Sequence, residues 1–222
     1  MRTTRSCSVL TALAVAVALV ASGCSFTTVE TARQLDHGDQ VYSGSADFPG
    51  FFLLPRLNAA AKFGLGGGGD IGVHAGTNLV SYNVGAGGRV YPTDFLIVSL
   101  QGNTMVMPSG SEVMGQSVDG PLLSTVTPRV MNAIVDDAPP IYGGLQSNIF
   151  MNIWGGFEYH SAAIGPFFGV DFMPDDAGFG FQTELILMPL AISPEGQFAT
   201  PGAEDGFLLF QFSVGGYFRN TM

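Results

Sequence analysis

The sequence predicts an all-β protein, an antiparallel up-and-down β-barrel of about ten strands, with eight as the alternative count. Three observations predict it. From about residue 39 onward, apolar and polar residues alternate one by one in run after run, the period of a strand with two unlike faces. Of 222 residues, 31 are Gly and 18 are Phe, while only 12% are charged; ordinary globular chains hold roughly 7% Gly and 25% charged residues. After residue 23 no apolar run approaches the ~20 residues that a membrane-spanning helix needs, so the apolar content is diluted to every second position.

The chain opens differently. Arg2 and Arg5 are the only charges before Glu30, and 9–20 is apolar apart from Thr11. That core is too short to span a bilayer and fits the apolar region of a secretory signal. Ala21, Ser22, Gly23 and Cys24 follow. This stretch resembles the lipobox of bacterial lipoproteins, in which a small residue precedes the cysteine that is acylated and becomes residue one. Ala21 stands where that family usually has Leu. The resemblance implies cleavage after residue 23, lipidation of Cys24 and, with Ser25 rather than Asp following, sorting to the outer membrane. Cysteine usage agrees: Cys7 leaves with the signal, and acylation disposes of the one thiol that remains. The expected organisation is a signal peptide at 1–23, a lipidated N-terminus and linker at 24–38, and a barrel domain at 39–222.

The strands are then expected at 39–46, 57–65, 70–77, 81–91, 95–104, 122–135, 145–159, 163–172, 179–188 and 207–218. In the second, Leu57, Ala59, Ala61, Phe63 and Leu65 alternate with Asn58, Lys62 and Gly64. A glycine run at 66–69 joins it to the third, where Ile71, Val73 and Ala75 oppose Asp70, Gly72, His74 and Gly76; two runs joined this way signal a hairpin. Pro92-Thr93-Asp94 reads as a turn, 106–120 as a loop, and 122–135 as a strand despite Pro128. The run 145–159 sets Leu145, Ile149, Met151, Ile153, Phe157 and Tyr159 against Asn148, Asn152, Trp154, Glu158 and His160, which forces a very tight turn at 160–162. Pro174-Asp175-Asp176 breaks the next strand, and 193–205 reads as a polar loop. The last strand alternates most plainly, with Phe210, Phe212, Val214 and Phe218 opposite Gln211, Ser213, Gly215 and Tyr217.

From about Arg56 to Phe218 the chain resembles a small bacterial outer-membrane β-barrel. Its closing strand ends on an aromatic, Phe218, similar to the assembly signal of those proteins, although Arg219, Asn220, Thr221 and Met222 follow it. In such barrels both termini lie on the periplasmic side, with short turns there and longer loops outside. Ten strands put 106–120 and 193–205 outside and the turns near Gly66, Pro92, Asp136 and Asp175 inside.

The face assigned to the lumen carries Lys62, Asp70, His74, Arg89, Glu158, Asp171 and Glu184. Charges in a narrow lumen need partners, so Lys62 and Arg89 are expected to pair with the acids. Catalysis is not expected: His74 and His160 are the only barrel histidines, His37 lies in the linker, and neither GxSxG nor HExxH occurs. The glycines of 64–69 lack the Lys-Ser/Thr and the helix of a phosphate loop. Asp136-Asp137 and Asp175-Asp176 lack calcium-loop spacing. No cofactor and no metal is expected.

Removal of 1–23 lowers Lys+Arg from 8 to 6 and keeps all 18 Asp+Glu, a formal charge of −12, which argues against nucleic acid as a partner. The expected partner is a lipid bilayer, met through acylated Cys24 and the barrel exterior. The leading expectation is a non-enzymatic outer-membrane lipoprotein acting in envelope structure, adhesion or small-molecule passage. The alternative is a tethered soluble, lipocalin-like barrel holding an apolar ligand, and a lipid-active hydrolase trails. The first two differ in which face of the last strand, Phe212 or Gln211, points outward.

Overall fold

The computed structural model describes residues 30–49, 55–77, 81–113, 116–134, 140–153, 157–172, 177–192, 198–199 and 209–221. The expected signal peptide, Cys24 and both Asp-Asp pairs lie outside the described residues.

The strands are β1 (Gln40–Pro49), β2 (Arg56–Gly64), β3 (Gly69–Thr77), β4 (Tyr82–Thr93), β5 (Leu96–Val113), β6 (Gln116–Asn132), β7 (Ile141–Asn152), β8 (Glu158–Phe172), β9 (Gly178–Met188), β10 (Leu190–Ile192), β11 (Phe198–Ala199) and β12 (Leu209–Asn220). Each of β1 to β8 pairs antiparallel with the next, and β12 fits between β9 and β1. Ten strands therefore close an up-and-down barrel, as expected, and no helix occurs among the described residues. Beyond Pro189, β10 continues along β8 and carries β11 on its free edge. Gln40, the first residue of β1, and Asn220, the last of β12, pair at one end of the barrel, here called the turn end; the opposite end is the loop end.

Glycine shapes the β2–β3 hairpin. Gly66, Gly67 and Gly68 have φ of 73°, 66° and 87°, values that residues with a Cβ rarely adopt. The glycine run is a turn.

Two details differ from the sequence reading, and a third, the strand placement of Pro128, agrees with it. The stretch 106–120 is not a loop: β5 and β6 remain paired out to Val113↔Gln116, making a long hairpin with register shifts at Met105/Val106 and Met107/Ser111. The alternation there is hidden because each bulge resets the period. The run 145–159 is not one strand. β7 ends at Asn152 and the antiparallel β8 begins at Glu158, so no tight turn at 160–162 exists and His160 sits within β8. Finally, Pro128 stays inside β6. It is in register with Leu100 of β5, but Thr127 and Pro128 drop out of the ladder to β7, which resumes at Arg129↔Gln146. A residue without an N–H is tolerated where a ladder is interrupted.

The alternation gives the wall two unlike faces. Outward stand large apolar side chains, among them Leu57, Ile71, Val73, Val84, Leu100, Leu145, Phe168, Phe212 and Phe218; Phe168 is 55% exposed. Inward stand Asn58, Lys62, Asp70, His74, Asn83, Arg89, Gln101, Thr127, Arg129, Asn148, Asp171, Glu184 and Ser213, all buried. Aromatic pairs mark both ends of one stretch of the outer face: Phe48 with Phe212 near the loop end, and Phe179 with Phe218 near the turn end, at 6.4 and 5.0 Å between ring centroids.

Candidate functional site

The lumen is the site, and most of its charges are arranged in groups toward the turn end, while Asp47 and Arg56, cross-strand partners on β1 and β2, stand near the loop end. Arg89 and Asp70 are direct cross-strand partners on β4 and β3. The Arg89 Nε donates to Asp70 Oδ2 at 2.7 Å. Arg129 on β6 reaches Glu184 on β9 across the barrel, Nη2 to Oε2, at 2.5 Å. The Arg129 guanidinium also lies 4.0 Å from the centre of the Phe167 ring, a cation–π stack inside the wall. Tyr142 donates to the same Glu184 oxygen at 3.0 Å. At the mouth, Arg219 pairs with Asp39 at 2.6 Å.

Two glycines make room for this. Tyr142 lies directly opposite Gly169, and Tyr217 opposite Gly180. A Cβ on either glycine would collide with the facing ring. The aromatic covers the backbone that its partner leaves bare, a recurrent device in barrels.

The stretch 30–38, expected to be linker, is not a free tether: it is folded into the turn end of the lumen. Glu30 is 3% exposed and Ala32 is fully buried. The Glu30 carboxylate accepts from Lys62 Nζ at 3.2 Å and from Ser99 Oγ at 2.8 Å, with Arg129 Nη1 at 3.8 Å. Its backbone carbonyl accepts from Gln182 Nε2. Thr31 Oγ1 and Ala32 N both donate to Asp171 Oδ2 at 2.7 Å, while the Tyr217 hydroxyl donates to Oδ1. Arg89 donates to the Thr31 carbonyl, and Ile134 N to that of Ala32. The Leu35 N–H donates to the Tyr91 hydroxyl at 3.1 Å, and its side chain packs with Val41 and Tyr217. Burial pushes the Glu30 carboxyl pKa up, but the Lys62, Arg129 and Arg89 cations outweigh it and hold it well below the usual carboxylate range.

The lumenal side of Lys62, Asp70, His74, Arg89, Asp171 and Glu184 matches the expectation, and the Glu158 side chain lies outside the described residues. The expected pairing holds for Arg89, which takes Asp70, and needs correcting for Lys62. Lys62 pairs with Glu30 rather than with a strand acid. Asp171 is satisfied by a hydroxyl, an N–H and a phenol. Glu184 takes Arg129. Period-2 counting assigns a side to each residue but carries no information on which strand lies across the lumen. Arg129 was legible in principle, since Thr125, Thr127 and Arg129 alternate with Val126, Pro128 and Val130; the proline obscured it. Glu30 had one signal, as the first acid in the chain.

The structure does not bring the histidines together. His74 is buried in the lumen against Asn103, His160 is exposed on β8, and His37 is exposed at the turn end with Nδ1 3.0 Å from the Leu65 carbonyl. No group of three or more His, Cys, Asp or Glu able to hold a metal occurs among the described residues.

No protein-family model matches the chain, and none of the curated proteins does. Among solved structures the chain is similar to the outer membrane protein OprG from Pseudomonas aeruginosa, at 10% identity and a TM-score of 0.32 over 87% of this chain and 100% of that one.

Proposed function

We propose that the protein is an outer-membrane β-barrel lipoprotein, anchored through acylated Cys24 after removal of 1–23, with a non-enzymatic role in the passage of small molecules or in envelope structure. One observation carries the reading: the barrel is inside-out for a water-soluble protein. Outward positions hold exposed Val, Leu, Ile and Phe, and inward positions hold buried charge and amide. A lipocalin-like barrel binding an apolar ligand needs the reverse. The shortest barrel strands, β2 and β3, have nine residues each, within the ~9–11 that a tilted strand needs to cross a bilayer. Aromatic pairs near both ends fit the two interfaces.

The bilayer is thus the partner, met by the barrel exterior and by the acyl chains on Cys24. The acidic composition leaves nucleic acid without a basic face to bind. The charged lumen favours passage over a purely structural role, because a barrel built only for stability gains more from apolar packing than from buried ion pairs.

Electrophoretic mobility in SDS before and after boiling tests the reading, with membrane retention of a Cys24→Ser variant. The expected result is a faster band before boiling and a variant that stays in the membrane. A single band under both conditions, with release of the variant into aqueous solution, would sink it.

A further inference from the structure

The N-terminal segment behaves as a ligand of its own barrel. Lys62, Arg129 and Ser99 come from β2, β6 and β5, three separate strands, and converge on one carboxylate that none of those strands supplies. Without Glu30, Lys62 keeps no carboxylate within salt-bridge distance among the described residues, whereas Arg129 keeps Glu184. The segment that brings Glu30 also crosses the turn-end mouth. It touches β4 through Tyr91 and Arg89, β8 through Asp171, β9 through Gln182 and the β6–β7 connection through Ile134.

Resting on the membrane-barrel reading above, we infer that Glu30 is a tethered carboxylate ligand of an anion site formed by Lys62, Ser99 and Arg129, and that its binding keeps residues 30–36 across the turn-end mouth as a stopper. The chemistry recognised is that of a carboxylate: two cations and a hydroxyl donor directed at its two oxygens. The tether is short, because β1 begins at Gln40, so the local concentration of Glu30 is in the millimolar range or above. A free carboxylate competes only weakly with it in the native chain, but meets an open site once the Glu30 side chain is cut back.

The test is ion conductance of the full-length protein in planar bilayers, alongside heat-modifiable mobility to establish a folded barrel. Wild type is expected to be quiet. Glu30→Ala is expected to give flickering conductance at least several-fold above wild type. Sodium acetate at tens of millimolar is expected to quiet that variant, and sodium chloride at equal ionic strength is not. Ala32→Asp, which keeps Glu30 but sets a carboxylate against Asp171, is expected to open the mouth without responding to acetate. If Glu30→Ala does not fold, Glu30→Ser, which also cuts the side chain back, supplies the same reading. Silence of the folded variants, conductance of wild type equal to theirs, or equal responses of Glu30→Ala to acetate and chloride would each overturn the inference. Loss of heat-modifiable mobility in wild type itself would instead count against the membrane barrel.

Discussion

Arg129 serves two carboxylates from one guanidinium, contributed by the N-terminal segment and by β9, with the Phe167 ring beneath it. Removing it leaves two buried acids short of a partner, and breaking a buried pair from one side costs about 3–5 kcal/mol. Arg129→Met is therefore expected to lower the urea midpoint sharply in detergent micelles, followed by the fluorescence of the single Trp. Adding Glu184→Gln to it is expected to recover part of the loss, since one stranded charge disappears. Gly169 offers a test of the opposite kind. Its Cβ would enter the Tyr142 ring, so Gly169→Val is expected to displace the phenol from Glu184 and cost about 1–3 kcal/mol as overpacking. At this scale the sequence reveals sidedness and little more. Lys62, Asp70 and Arg89 were assigned to the correct face because alternation is local. Asp70 and Arg89 find each other on neighbouring strands, but Lys62 is met by the N-terminal segment and Glu184 by Arg129 across the lumen, contacts that chain order does not make adjacent.

Among the elements, β2, β3 and β4 were legible nearly to the residue, because glycine turns and strict alternation coincide there. β5 and β6 were not, since bulges at Met105 and Met107 reset the period. The boundary between β7 and β8 is misplaced by the sequence pattern, because apolar residues at Ile153 and Phe157 carry the alternation past the end of β7. The paired tip of the β5–β6 hairpin extends beyond the register of β4, whose first residue, Tyr82, pairs with Val106. Deleting 109–118 is accordingly expected to leave the heat-modifiable band and the unfolding midpoint unchanged, because there the hairpin pairs only with itself and with neither β4 nor β7. The N-terminal stretch is the element that sequence patterns misjudge most. Over 30–38 it is polar and aperiodic, the signature of a linker, yet its polarity serves partners inside the barrel rather than water.

For the whole molecule, the decisive property is that the apolar side faces out. Val73, midway along β3 and 57% exposed, distinguishes a lipid environment from an aqueous one. In a bilayer, Val73→Arg is expected to cost about 2–4 kcal/mol near the midplane, read as a fall in folding yield into phospholipid vesicles. On a water-facing wall the same change would be nearly neutral. The inward Thr127→Val serves as the control for strand geometry, since it adds no charge to either face.

The stopper also has a history within each molecule. Thr31 meets Asp171 across 140 residues of chain, and Glu30 meets Gln182 across 152. Contacts between such distant residues come late, after the loops that separate them have closed. The residues that anchor 30–36 belong to strands from β2 to β12, so no partial sheet offers them all. The stretch synthesised before any strand is thus the last to find its place, and its docking records that the circle of strands has been completed.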